Sequence, residues 1–194
     1  MLGRVQAFVL ERQASEIPEA VRRRAGYLLL DTLGICAAAG PMEAGRIGRD
    51  TAAMLYGAGS DGMGARMLFD GRRVSLAGAV FAAATQTDNL DGHDGYNPTK
   101  GHIGVVTVPT LAALAEHLPD LGGQEVLAAL AVGYEIAGRA GIALHATVSD
   151  YHTSGAWNAL GVAAMAARLR RQSAEQLRQA LGIAEYHGPR SQMM

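Results

Sequence analysis

Apolar residues recur every three or four positions along most of the chain, which is the spacing of one face of an α-helix. Pro18 before the second periodic segment, Gly40-Pro41 after it, and a capping box from Ser173 to Gln176 are start and stop signals of helices. We take Pro109 as another helix start for the same reason. The pattern predicts helices over about 2–13, 18–39, 43–56, 76–90, 109–117, 123–145, 155–171 and 174–187.

One segment departs from the helical spacing. In "ARMLFDGRRVSL", two short runs flank Asp70-Gly71, a pair typical of a tight hairpin turn. The helices are rich in Ala and Gly, which lets neighbouring helices approach closely on several faces. The sequence therefore predicts an all-α, layered helical domain over residues 1–194, with at most one short β-hairpin near 65–75.

Composition narrows the class of protein. The chain is 49% apolar and 18% charged, its net charge is -1, and aromatic residues make up 5% of it. A nucleic-acid partner is not expected, because such proteins usually present a basic face with stacking rings. Uninterrupted apolar runs such as 103–115 are shorter than a membrane span, and the charged first thirteen residues do not form a signal peptide. We expect a cytoplasmic protein that does not bind a membrane.

Two polar loops interrupt the apolar helices. The first is "DNLDGHDGYNPTKGHIG" at 88–104, and the second is "ATVSDYHTS" at 146–154. Carboxylates beside imidazoles are suited to moving protons at neutral pH, and a lysine can bind a substrate carboxylate. If both loops lie at one end of the helices, they could form a pocket. The first loop would supply Asp91, His93, Asp94, Lys100 and His102, and the second would supply Asp150, Tyr151, His152, Thr153 and Ser154.

The same residues allow other interpretations. Asp91 and Asp94 can cap a helix or a turn, as aspartate commonly does in loops. His93 and Lys100 can be solvated. Asp-x-His-Asp followed by His102 also has the composition of a metal site, although neither a helix-spaced histidine pair nor a cysteine pair supports it.

Four stretches of the chain resemble the MmgE/PrpD family, which includes 2-methylcitrate dehydratase, cis-aconitate decarboxylase and iminodisuccinate epimerase. "LLLDTLGICAAAG" resembles the second-helix signature of the family, and "GYEIAGRAG" resembles its Gly-Tyr-Glu helix. "LDGHDG" followed by "GHIGVVTVPTLAALAE" resembles its Leu-Asp-Phe-Asp-Asp-Thr and His-Pro-Ser segments. "YHTSGAWNALGVAAMAARL" resembles its Phe-His-Pro-Thr-Gly-Thr-Trp-Gly segment.

The resemblance implies four catalytic residues, which are Asp91, Asp94, His102 and His152. Gly95 stands where the family usually has Thr, and Ile103-Gly104 stand where it has Pro-Ser. The substrate contacts that the threonine hydroxyl makes in the family must therefore be absent here or replaced by another residue. We expect Lys100, Asn97 and Thr153 to bind the substrate.

By this resemblance, the protein removes a proton α to a carboxylate of a small di- or tricarboxylate. Dehydration is the first expectation, with epimerisation or decarboxylation as alternatives. Neither a cofactor nor a metal is implied, and a homodimer is expected. Family members are longer and carry a smaller α/β lid domain that adds a lysine, so we expect this chain to be a truncated N-terminal domain.

Two hypotheses from other classes remain open. One is a non-catalytic helical module for binding or dimerisation, derived from the same fold. The other is a metal-dependent hydrolase that uses Asp91, His93, Asp94 and His102.

Overall fold

A computed structural model of the protein describes residues 2–60, 63–149 and 153–189. Among these residues, two short antiparallel strands, β1 (Gly64–Arg66) and β2 (Arg73–Ser75), form the only sheet. All other regular structure is helical, which confirms the predicted all-α class with one hairpin. The α-helices are α1 (Leu2–Gln6), α2 (Glu19–Ala39), α3 (Glu43–Leu55), α4 (Leu76–Asp88), α5 (Gly104–Ala115), α6 (Gly123–Thr147), α7 (Gly155–Leu169) and α8 (Ala174–His187).

The chain divides into two compact units. The first unit comprises Met1–Gly26, Gly95–Ile103 and Gly122–Met194, and the second comprises Tyr27–Asp94 and Gly104–Leu121. Both units are discontinuous along the sequence. Residues 95–103 of the first polar loop and the described residues of the second loop belong to the first unit. The start of the first loop, which includes Asp91 and Asp94, belongs to the second unit.

In the first unit, α6 and α7 pack against each other through residues without bulky side chains. A β-carbon on Gly161 would lie 2.6 Å from the Ala137 β-carbon and 2.6 Å from the Gly133 carbonyl oxygen. Leu177 on α8 and Val9 near the N-terminus complete a buried apolar cluster beside this contact. The Ala- and Gly-rich composition of these helices thus determines how closely they approach.

A buried arginine holds the N-terminal segment to α7. The predicted helix over 2–13 ends early, because α1 passes into a π-helical turn over Ala7–Glu11. The Arg168 guanidinium donates to the Val9 carbonyl oxygen at 2.9 Å and pairs with the Glu125 carboxylate at 2.6 and 3.0 Å. It therefore supplies a partner for a main-chain acceptor at the wider turn, where regular α-helical pairing has ended.

The hairpin of the second unit is longer at its tip than Asp70-Gly71 predicts. Residues 67–72 connect the strands, with Phe69 at φ +60° and Gly71 at φ +87°. The Asp70 carboxylate accepts from Arg72 at 2.7 Å and lies 3.3 Å from the Arg49 guanidinium. These contacts stabilise a wider connection than the two-residue turn that the dipeptide favours.

Helix α5 begins at Gly104, so the predicted start at Pro109 is wrong. Pro109 is inside the helix, where it cannot donate the usual backbone hydrogen bond. The true start is capped by Asp94, whose two carboxylate oxygens lie 3.1 and 3.2 Å from the Gly104 amide nitrogen. A cap ten residues before the helix is not recognisable from the local pattern.

Helix α6 is long and apolar enough to cross a membrane by length and composition, with a mean hydropathy of 1.4 in its best window. Half of that window is buried inside the fold, which is also true of core helices in globular proteins. Helices α2 and α3 meet the same criterion only as a pair, and they are bent by 93° at their junction. These features are weak evidence for a membrane span.

We predict that Arg168→Ala lowers the free energy of unfolding by about 2–4 kcal/mol, because it removes three hydrogen bonds and leaves the Glu125 charge without its partner. Urea unfolding followed by circular dichroism measures this loss. Arg178→Ala is the control, since Arg178 pairs with Glu175 on the exposed surface of α8 and should have little effect. Equal losses in the two variants would contradict the prediction.

A second prediction concerns acid stability. The Arg72 hydrogen bond, with Arg49 nearby, lowers the pKa of Asp70 below its ordinary 3.8. The ionised form is thus favoured in the folded state, so this stabilisation is complete above pH 3.8 and is lost as the pH falls through the lower folded-state pKa. Thermal unfolding from pH 6 to about pH 2 should show a difference between the wild type and Asp70→Asn that shrinks with acidification. A constant difference would count against the assignment.

Candidate active site

The first polar loop of the first unit is a compact turn. Asn97–Thr99 form one 3₁₀ turn with Pro98 in its first positions, and the Tyr96 amide donates to the Gly101 carbonyl oxygen at 2.8 Å. Thr99 is buried, whereas Asn97 and Lys100 are exposed. Lys100 has φ +48°, the left-handed conformation that ends the turn. The loop therefore presents two polar side chains to solvent from a backbone that is closed on itself.

Two glycines let this loop lie directly on α6 and α7. A β-carbon on Gly101 would overlap Ser154 Oγ and lie 2.9 Å from Cζ2 of Trp157. A β-carbon on Gly141 would lie 2.6 Å from the Thr99 methyl group. Any side chain at either position would separate the loop from the helices. The closeness of Gly101 to Ser154 brings the two polar loops together within this unit.

His102 is held by its main chain to the first turn of α7. Its amide donates a long hydrogen bond of 3.4 Å to Ser154 Oγ, and its carbonyl oxygen accepts from Asn158 Nδ2 at 2.7 Å. The residue is half-buried. The next residue, Ile103, is buried against Trp157 and Ala137. His102, the candidate base, therefore lies between a hydrogen-bonded turn and a buried apolar residue.

The two candidate carboxylates belong to the second unit. Asp91 is exposed and has φ +47°, a conformation that non-glycine residues seldom adopt and that is enriched at functional sites. Asp94 is half-buried and caps α5 through the Gly104 amide. The capping role, one of the interpretations that the sequence left open, is therefore observed for Asp94.

His93 is buried, so the solvated alternative for this residue is wrong. It is 5% exposed, and its Nε2 lies 3.9 Å from a carboxylate oxygen of Asp88 at the end of α4. Lys100, for which solvation was the other possibility, is exposed. Gly92 and Gly95 lie close to His93 in the sequence and suggest an open loop. The burial of His93 is therefore not evident from the sequence.

The structure distributes the predicted site residues as follows. Thr153, which is half-buried, directly precedes Ser154 at the start of α7 and belongs to the same unit as Asn97, Lys100 and His102. Asp150, Tyr151 and His152 of the second loop lie outside the described residues. The sequence analysis missed Asn158, although a polar residue inside the apolar stretch "GAWNALG" is a usable signal. Within the first unit, the structure therefore joins the His102 loop to the segment that precedes α7.

The arrangement offers an imidazole on a fixed backbone, an exposed ammonium group two residues before it, and the hydroxyl groups of Thr153 and Ser154 just before α7. Such a set can accept a proton and bind an anion. The metal-hydrolase hypothesis requires Asp94 as one of four ligands, and this carboxylate is already engaged as a helix cap. The set in the first unit is therefore suited to proton transfer on an anionic ligand.

Comparison with protein families supports the resemblance noted in the sequence. Residues 4–192 match the MmgE/PrpD N-terminal domain, so nearly the whole chain is covered. No curated protein matches the chain.

We predict that Gly101→Ala destabilises the protein by about 1–3 kcal/mol and loosens the His102 loop, because the added methyl group would overlap Ser154 and Trp157. Thermal unfolding and amide hydrogen exchange at His102 measure the two effects. Gly95→Ala is the matched control in the same loop, since among the described residues no atom lies within 4 Å of its β-carbon position. If both substitutions are tolerated equally, the loop does not depend on this contact.

Proposed function

Because the chain belongs to the MmgE/PrpD family, we propose that it is the N-terminal domain of a lyase-type enzyme acting on a small di- or tricarboxylate. The proposed first step is removal of a proton α to a carboxylate. Loss of water then completes a dehydration, while reprotonation or loss of carbon dioxide gives the alternative epimerisation or decarboxylation. The observation that carries the proposal is the attachment of the His102 peptide to the first turn of α7.

This chemistry explains why a fixed imidazole matters. A carbon-bound proton beside a carboxylate is a very weak acid, and its removal places additional negative charge on a substrate that is already anionic. The transition state is therefore stabilised by a well-placed base together with cations and hydrogen-bond donors. An imidazole titrates near neutral pH, so it can take the proton and return it. His102 is the proposed base.

The other roles follow from residue type and position in the chain. We propose that Lys100 binds a substrate carboxylate, since its turn exposes it two residues before His102. Asn97 and Thr153 are proposed to donate hydrogen bonds to substrate oxygens. His152, two residues before Ser154 in the sequence, is proposed as the partner acid. From the resemblance alone, Asp91 and Asp94 are added as catalytic carboxylates.

Self-association and a further domain belong to the same proposal. Tyr27 and Leu30 on α2 and Ile183 and Tyr186 on α8 are large apolar residues that are at least 61% exposed. Exposed apolar groups of this size often mark contact surfaces, which supports a homodimer. The resemblance further suggests a lysine-bearing α/β domain and a cytoplasmic location. Light scattering on the purified protein measures the oligomeric state, and a monomer at micromolar concentration would contradict the dimer.

We predict that the purified full-length protein exchanges the α-protons of at least one di- or tricarboxylate with deuterium. Proton NMR in deuterated water detects the exchange, and the products distinguish dehydration, decarboxylation and epimerisation. His102→Gln should slow the exchange by about 10²–10⁴-fold, because it removes the base and retains the main-chain hydrogen bonds. His187→Gln, on the exposed end of α8, is the control and should leave the rate unchanged.

Other outcomes separate the rival hypotheses. Binding of a carboxylate without exchange by the full-length protein would favour the non-catalytic module. Hydrolysis that appears only on addition of a divalent metal would favour the hydrolase. Exchange that is equally fast in His102→Gln would exclude His102 as the base.

A further inference from the structure

We infer that Asn158 is a positioning residue for His102. The inference rests on the proposed function, because it takes His102 as the group that accepts the proton. It assigns Asn158 no contact with the substrate. The role of Asn158 is to hold the peptide of His102 on α7, the helix that follows the second polar loop, and thereby to place the imidazole.

The first argument is the chemistry of the Asn158 amide. The residue is 1% exposed, and its Nδ2 donates to the His102 carbonyl oxygen at 2.7 Å. This bond fixes the amide orientation, because the flipped amide would place two acceptor oxygens together. Oδ1 is buried and has no hydrogen-bond partner among the described residues. Burying an unsatisfied acceptor is unfavourable, so packing alone would favour an apolar residue here.

The second argument is the geometry of the helical turn. Ser154 and Asn158 are four residues apart, and residues with this spacing share one face of a helix. Ser154 Oγ accepts from the amide of His102, and Asn158 donates to its carbonyl oxygen. One face of a single turn thus holds both polar groups of one residue. The two bonds restrict the backbone on either side of the His102 α-carbon and thereby the direction of its side chain.

The third argument is that α7 is a rigid support. Trp157, beside Asn158, is 1% exposed and contacts the loop at Gly101. Gly161, one turn later, is in close contact with α6 at Ala137. Displacement of a reacting group by about 1 Å can cost about 100-fold in rate. A base on a loop therefore benefits from attachment to a helix that is itself fixed.

The test compares Asn158→Leu with Thr32→Val in the full-length protein. Thr32 is the matched control, because its hydroxyl is also buried without a partner among the described residues and it lies on α2. For Asn158→Leu, we expect kcat for α-proton exchange to fall by about 10–100-fold and KM to change by less than about threefold. Thermal unfolding should stay within about 5 °C of the wild type. Thr32→Val should leave kcat unchanged.

NMR spectra of histidine-labelled protein give a readout that does not depend on activity. Asn158→Leu should shift the His102 ring and amide signals and leave those of His187 in place, whereas Thr32→Val should shift neither. Unchanged His102 signals with unchanged kcat would overturn the inference. If Asn158→Leu fails to fold, Asn158→Ala removes the donor without adding bulk, and wild-type kcat in that variant would overturn the inference equally.

The two proposals can fail separately. If the unaltered protein exchanges no α-proton in any polycarboxylate, the proposed function fails. The NMR comparison then decides the positioning role alone, with shifted His102 signals in support and unchanged signals against. If exchange occurs and depends on His102 but not on Asn158, the proposed function stands and the positioning role fails.

Discussion

The close contact between α6 and α7 is the constraint on which the first unit depends. Gly161 has no space for a β-carbon beside Ala137, and the same shortage of space recurs at Gly141 and Gly101, where the polar loop lies on the helices. An added atom at any of these glycines would overlap its neighbours, because protein interiors are packed as densely as organic crystals. The position of the His102 loop is therefore a consequence of helix packing, and the loop has little freedom of its own.

The packing of the loop on the helices also explains how His102, the proposed base, is held in place on a loop. The main chain of His102 is fixed by hydrogen bonds to Ser154, the N-cap of α7, and to Asn158 on α7. The buried side chain of Ile103, the next residue, holds the same segment. The polar side chains proposed to contact the substrate, Asn97 and Lys100, lie on the exposed side of the same turn. The unit thus separates a supporting set of residues, which are buried or half-buried, from the exposed Asn97 and Lys100. Such support by a second layer of residues is what precise active sites require.

The sequence pattern predicted the structural features that depend on residues close together in the chain. The helical spacing located α2, α3, α6 and α8 closely, and the Ser173–Gln176 capping box forms as expected, since it involves residues three apart. The start of α5 was misplaced because its cap, Asp94, lies ten residues away in sequence. The hairpin was found, but its tip is wider because Arg49 of α3 contacts Asp70.

The same division explains what the sequence could say about the site. Residue types in two loops identified the candidate acids and bases, and the resemblance gave them roles. The burial of His93 and the contact of Asn158 with His102 depend on residues brought together by folding, so composition and spacing did not predict them.

The close packing of Gly101 against Ser154 and Trp157 limits which substitutions such a protein can accumulate. Substitutions at Gly101 or Gly141 would move the whole loop, so selection can change these positions only together with their neighbours. Asn97 and Lys100 are exposed on the same turn. Under the proposed function, replacements at these two exposed positions change the groups offered to a substrate, while the packing that holds the His102 loop stays the same.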